Sequence, residues 1–182
     1  ADKGREFVAS TDNWFRPAQF ANGPDGNLYI IDVYREVIEH PLSLPPEIKK
    51  HLDLTSGRDR GRIYRVAPTG FQFKRPPKLS DLTPDELVSH LESANGWTRD
   101  TTARLIFARQ DWAAIGPLEA LAAESKSPLA RAYALEALAG IDVIESKALT
   151  PAVLAARLDD EHPRVRERAV RLAERLAPTA PE

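Results

Sequence analysis

The sequence predicts an α+β protein: a short β segment resembling no complete domain, followed by a stack of about three helical pairs. Three observations point to it. Between residues 7 and 66 the apolar side chains are aromatic and β-branched and are broken by Gly and Pro, which is strand composition. From residue 83 onward the apolar positions recur at helical spacing, behind starts such as Thr-Pro, Ser-Pro and His-Pro. The stretches RDTTARLIFAR, LARAYALEALA and VRERAVRLAER also superpose on one another. They place Ala103, Ala134 and Ala169 at spacings of 31 and 35, an internal repeat.

Taken in order, GPDG at 23–26 is a tight turn, Pro fixing φ and Gly supplying the positive φ that a hairpin needs. NLYIID (27–32) follows as a short strand buried on at least one face, and GRIYRV (61–66) is the next strand. Ile63 and Val66 are expected inside that strand, with Arg62 and Arg65 solvated or paired. The connection between them, 39–60, is long for a compact domain and holds a helical turn opening at Pro46. APTGFQFKRPPK (67–78) reads as linker, which sets the organisation at 1–70 for the β segment, 71–82 for the linker and 83–182 for the helices.

Thr83 then caps a helix with Pro84 at its first position and acids in its first turn. Helices are expected near 84–94, 98–110, 113–124, 128–140, 151–159 and 163–176. SPLARAYAL and HPRVRERAV share a Pro at the helix start and an Arg three residues later, Arg131 and Arg166, as HEAT-type solenoid repeats do, although the period is shorter than usual for that class. Matched Ala residues let the paired helices approach closely. Trp97 falls where the first two helices meet, as an inter-helix or interdomain core residue rather than a ligand platform.

Composition excludes several function classes. With 25 basic and 27 acidic residues the formal charge is −2, so no global field draws the chain to nucleic acid or an anionic membrane. GRDRGR (57–62) is interrupted by Asp59 and lacks interleaved aromatics, which argues against nucleic-acid binding. Without cysteine there is no disulfide, thiolate metal site, catalytic thiol or haem attachment within these residues. No apolar run is long enough to span a membrane, and residues 1–10 lack a signal-peptide profile. The lack of Met suggests a piece of a longer protein. The last helix carries acids at its start and pairs such as Glu167 with Arg171, a solvated outer face.

STDNWFRPAQFANGPDGNLYIIDVYREVIEHP together with LPPEIKKHLDLTSGRDRGRIYRV resembles the last propeller blade of the large membrane-bound dehydrogenases of planctomycete and verrucomicrobial bacteria. Those proteins carry a β-propeller similar to soluble quinoprotein glucose and sorbosone dehydrogenases, then HEAT-like repeats, and often a cytochrome c domain. The resemblance covers nearly all of 10–66, and NGW-x-RDT matches 95–101; earlier blades and the haem motif have no counterpart in these residues. It implies a periplasmic or exported sugar or polyol dehydrogenase using pyrroloquinoline quinone (PQQ) and Ca²⁺. The partners it implies are the rest of the propeller and a cytochrome c domain. This chain would be a junction and scaffold that holds no cofactor and is inactive by itself. The alternative is a helical-repeat protein-interaction module with a β cap and no catalysis.

In the quinoprotein relatives an arginine shortly before the GPDG turn contacts the anionic quinone, and Arg16 stands at the matching place. A guanidinium can hold a carboxylate or quinone oxygen bidentately; the competing reading is a structural arginine paired with Asp12 or Asp25. Asp32, Tyr34 and Arg35 lie at the strand end, where propeller loops line one channel mouth, so they are candidates for cofactor binding. Asp32 could accept a proton or bind Ca²⁺, but one carboxylate is far short of six oxygens, and turn capping competes with that role. His40 is a candidate general base for alcohol oxidation, with a hydrogen-bonding role in the loop as the alternative. His51, His90 and His162 show no metal-ligand spacing.

Overall fold

The computed structural model describes residues 3–38, 40–141 and 148–176. Glu39, where the long connection begins, and the outermost residues of the 1–70 and 83–182 segments lie outside them. The chain divides into two compact units, Ala1–Phe73 and Lys74–Glu182, each with its own architecture.

The first unit is a three-stranded antiparallel sheet in the order β1 (Pro17–Asn22), β2 (Leu28–Asp32), β3 (Arg62–Val66). The β1–β2 hairpin closes as its sequence dictates: the Gly26 N–H donates to the Gly23 carbonyl at 3.0 Å, with Gly26 at φ 82°. Asp25 fastens the turn, accepting the Asn27 N–H at 3.1 Å and the Tyr29 hydroxyl at 2.8 Å. The β1–β2 register shifts between Pro17 and Gln19. Between β2 and β3 the long connection contains a 3₁₀ turn at Pro41–Ser43 and one helical turn, α1 (Pro46–Lys49), opening where Pro46 predicts it.

Burial in this unit is sparse. Ile30 is the one buried apolar residue among its described residues, with Asn27 and Asp32 the buried polar ones. The expectation that Ile63 points inward is corrected: it is 67 % exposed, and Val66 is half-buried. Ile63 stands directly opposite Ile31 on β2, so both belong to the sheet face that this unit leaves open. Arg62 and Arg65 are paired rather than free, at 3.8 Å from Asp32 and 3.5 Å from Asp25.

Among its described residues the second unit forms three helical pairs: α2 (Pro84–Ser89) with α3 (Gly96–Arg109), α4 (Ile115–Glu124) with α5 (Pro128–Gly140), and α6 (Pro151–Leu158) with α7 (Pro163–Leu176). First helices α2, α4 and α6 pack on one another in one layer and α3, α5 and α7 in the other. Thr83 caps α2 in a reciprocal box: its hydroxyl accepts the Glu86 N–H and the Glu86 carboxylate accepts the Thr83 N–H at 3.0 Å. Ser127 and Thr150 cap α5 and α6 ahead of Pro128 and Pro151. One core of Leu, Ile, Val and Ala runs through the pairs, and Trp97 is a half-buried residue packed against it. Leu79, inside the stretch that reads as linker, is buried in this core, and Arg109 donates to the carbonyls of Leu82 and Ser80 at 2.7 Å each.

Each second helix opens on the same device. Nη1 of Arg99, Arg131 and Arg166 donates to the carbonyl six residues earlier, on Ser93, Ser125 and Asp160. Aligned on these arginines, the fully buried small residues are Thr102, Ala134 and Ala169. The repeat therefore runs one residue off the sequence-based alignment in its first copy, where Ala103 is only partly buried. Sequence matching favoured Ala over Thr there, while the packed position needs only a small side chain.

Candidate functional site

At one end of the sheet the loop before β1 is laced to the segment after β2. The Val33 N–H donates to the Arg16 carbonyl and the Arg35 N–H to the Trp14 carbonyl, each at 3.1 Å. Asp32 is the hub. Its side chain is fully buried, Oδ1 accepts the Arg16 N–H at 2.8 Å and the Tyr34 N–H at 2.9 Å, and Oδ2 faces Arg62 Nε at 3.8 Å. The bond to the amide two residues on is an Asx turn, so turn capping is the geometry this aspartate adopts.

Tyr34 sits at φ 46°, a left-handed conformation unusual for an aromatic residue. It is held there from several sides. Its hydroxyl donates to Asp12 Oδ2 at 2.8 Å, its ring lies 5.7 Å from that of Trp14, and the Arg62 guanidinium lies 3.9 Å above it. Gly57 lies against it so closely that a Cβ there would come within 2.3 Å of the Tyr34 carbonyl oxygen. The Trp14 N–H and the Tyr34 hydroxyl hold the Asp12 carboxyl below its ordinary range, and the bond to Asp12 raises the Tyr34 phenol. A phenol kept protonated in this way donates a hydrogen bond and is no proton acceptor near neutral pH.

The other candidates are committed to backbone. The Arg16 guanidinium donates to the carbonyls of Asn13, of Phe15 at 3.1 Å and of Glu36 at 3.3 Å. Neither Asp12 nor Asp25 is its hydrogen-bond partner: Asp12 serves Trp14 and Tyr34, and Asp25 serves its own turn. Arg35 donates to the carbonyls of Val33 and Tyr34 at 3.1 and 3.2 Å. His40 is exposed and accepts the Leu42 N–H on Nδ1 at 3.2 Å, capping the 3₁₀ turn. Arg16, Asp32, Tyr34 and Arg35 thus share one cluster, while His40 serves a separate turn.

Sequence reading gave Trp14 and Gly57 no role, offered Asp12 only as a partner of Arg16 and left Arg62 solvated or paired. Asp12 and Trp14 reach Tyr34 from the loop before β1, Gly57 from within the long connection and Arg62 from beyond it. Gly in GRDRG is the one signal available, as a position needing positive φ and close approach. A hollow of about 420 Å³ beside Trp14 takes in Asp53, Thr55, Arg58, Asp59 and Arg60. Two carboxylates and two guanidinium groups there balance, so it selects no charge sign. Among the described residues no group of three or more His, Cys, Asp or Glu could hold a metal ion, and no helix is long and apolar enough to cross a membrane. Arg16 donates to carbonyls through Nη1 and Nη2 and Arg35 through Nη1, and one oxygen of Asp32 accepts two amides. For Ca²⁺, which takes six or more oxygens, the carboxylates of Asp12 and Asp32 are too few by themselves.

A family model described as a domain of unknown function (DUF7133) matches residues 1–70, which is most of the Ala1–Phe73 unit. No curated protein and no solved structure matches the chain.

Proposed function

We propose that this chain is the junction of an exported quinoprotein-type sugar or polyol dehydrogenase. On this reading the β unit is one blade of a larger β-propeller, the helices are a HEAT-like scaffold, and the chain alone has no catalytic role. The observation that carries the reading is the near absence of a core in the β unit. Ile30 is its one buried apolar residue among those described, while Phe20, Ile31, Ile63 and Tyr64 on its strands stay exposed. Full burial of one aliphatic side chain is worth about 1.5–3 kcal/mol, too little to order a unit of this size without neighbours. A propeller blade has such neighbours on both faces. Blades also carry four strands where this sheet has three, so an adjoining segment would supply the fourth.

The likeness of residues 10–66 and 95–101 to the propeller dehydrogenases supports the choice of parent. Arg16, Asp32, Tyr34 and Arg35 then brace the loops at one mouth of a blade, and PQQ and Ca²⁺ rely on ligands from the rest of the propeller. The test is reconstitution of the full-length parent with PQQ and Ca²⁺, read by quinone absorbance and by sugar-dependent dye reduction. Binding by the parent and none by residues 1–182 is expected. A parent that binds no quinone sinks the reading and leaves a helical interaction module with a β cap.

A further inference from the structure

The repeated arginines differ in what the rest of the guanidinium does. Arg131 is buried, and its Nε and Nη2 close a two-pronged pair with Asp160 at 2.9 and 2.7 Å. Asp160 belongs to the pair that follows, so the bond clamps α5 to the α6–α7 turn. Arg166 occupies the same place in α7. Its Nη1 donates to the carbonyls of Asp160 and Glu161, at 2.7 and 3.1 Å, and its Nε and Nη2 make no hydrogen bond among the described residues. Four residues on, Leu135 in α5 is fully buried, whereas Val170 at the matching place in α7 is 50 % exposed. The α6–α7 end of the stack therefore presents what the α4–α5 end presents to its successor: a guanidinium fork beside an apolar side chain.

The geometry points to a further helical pair of the same polypeptide docked on the α6–α7 end, with an Asp or Glu at the place of Asp160 clamping Arg166. This rests on the reading of the chain as part of a longer protein but not on quinone chemistry. A second copy of the chain does not fit as the occupant, because its first two pairs offer Ser93 and Ser125 at that place, which carry no carboxylate, and Asp160 of its third pair is already held by its own Arg131. Arg99 shows the outcome when Ser125 follows: its Nε is buried without a partner and the guanidinium lies 5.9 Å from the Tyr133 ring. Arg166 is matched to Arg131 rather than to Arg99, since a proline opens both helices three residues before the arginine and Gly96 opens α3. A buried fork of this kind favours a carboxylate that can take both N–H groups. The 35-residue step from Arg131 to Arg166 carries Asp160 forward to about position 195.

The experiment begins with the native coding sequence beyond residue 182. Two helical segments are expected, with Asp or Glu between them near that position. A stop codon, a tract without helical periodicity, or a neutral or basic residue there overturns the proposal. The protein carrying this segment is then compared with residues 1–182 by urea unfolding. Val170→Lys should lower the midpoint of the longer protein and leave that of 1–182 unmoved. In the longer protein Arg166→Ala and the matching acid→Ala should be non-additive, the double variant falling no further than the worse single one. Equal Val170→Lys shifts in both proteins, or additive losses, overturn it.

Discussion

Arg131 and Asp160 are both nearly excluded from solvent, at 5 % and 2 % side-chain exposure, so neither charge has water to fall back on. Removing one partner strands the other, a loss of about 3–5 kcal/mol for a buried pair. Asp160→Ala should lower the urea midpoint of the helical unit accordingly, while Glu161→Ala, an exposed partner of the same arginine, should change it by less than about 1 kcal/mol. Burial pushes the Asp160 carboxyl up, but the Arg131 hydrogen bond, the His162 N–H and the nearby arginines outweigh it and hold it below 3.8. A carboxyl lowered on folding contributes its full stability above that value and loses it as pH falls through the folded-state value. Midpoints taken between about pH 7 and pH 2 should therefore fall on acidification, and Asp160→Asn should flatten part of that fall. A variant with an unchanged acid limb would assign the pH dependence elsewhere. Gly57 is the corresponding position in the β unit. It has φ 85° and no room for a Cβ against Tyr34, so Gly57→Ala should cost at least about 1–2 kcal/mol and erase the dispersed amide signals of Tyr34 and Ile30. Retention of those signals would show that the Tyr34 loop yields.

Among the elements, the helices were legible in the sequence because their signals are local. Thr83-Pro84 with Glu86 three residues after the cap specifies a start without help from the rest of the chain, and the structure closes that box. Thr83→Ala removes an acceptor for the Glu86 N–H and a donor to its carboxylate. It should destabilise the helical unit by about 1 kcal/mol, and Thr83→Ser should restore most of the loss; equal losses in both would mean that the box contributes little. β2 and β3 were legible as strands, β1 only as the arm that the GPDG hairpin turn implies, but not in which way they face. Ile63 reads as a core residue from its β-branched apolar side chain, yet it is exposed because its side of the sheet has no second layer in this unit. The site was legible only in part for a related reason. Asp32 as a turn cap follows from its place after a strand, but the Arg62–Tyr34 stack joins residues 28 positions apart in sequence. No local pattern encodes a pairing whose register is set by β2 and β3 together.

For the whole molecule, the contrast between the two units makes a statement about where stability resides. The helical unit buries Leu87, Leu91, Leu118, Leu135, Leu138 and Val165 in one continuous core, whereas the described part of the β unit buries Ile30. Amide exchange measures this directly, because the slowest-exchanging groups report the largest unfolding free energy available to their unit. In residues 1–182 the amides around Leu135 and Leu138 should exchange at least about 10³-fold more slowly than those of Tyr29 to Ile31. The latter are central-strand amides, hydrogen-bonded into a ladder on both sides, so solvent access to the native strand does not explain fast exchange there; opening of the unit does. In the full-length parent the same β2 amides should gain protection as adjoining blades cover Ile31 and Ile63, while those of α5 should not. Protection of β2 equal to that of α5 in residues 1–182 would mean that the β unit is stable without neighbours. It would then be a cap in its own right, and the blade reading would fail.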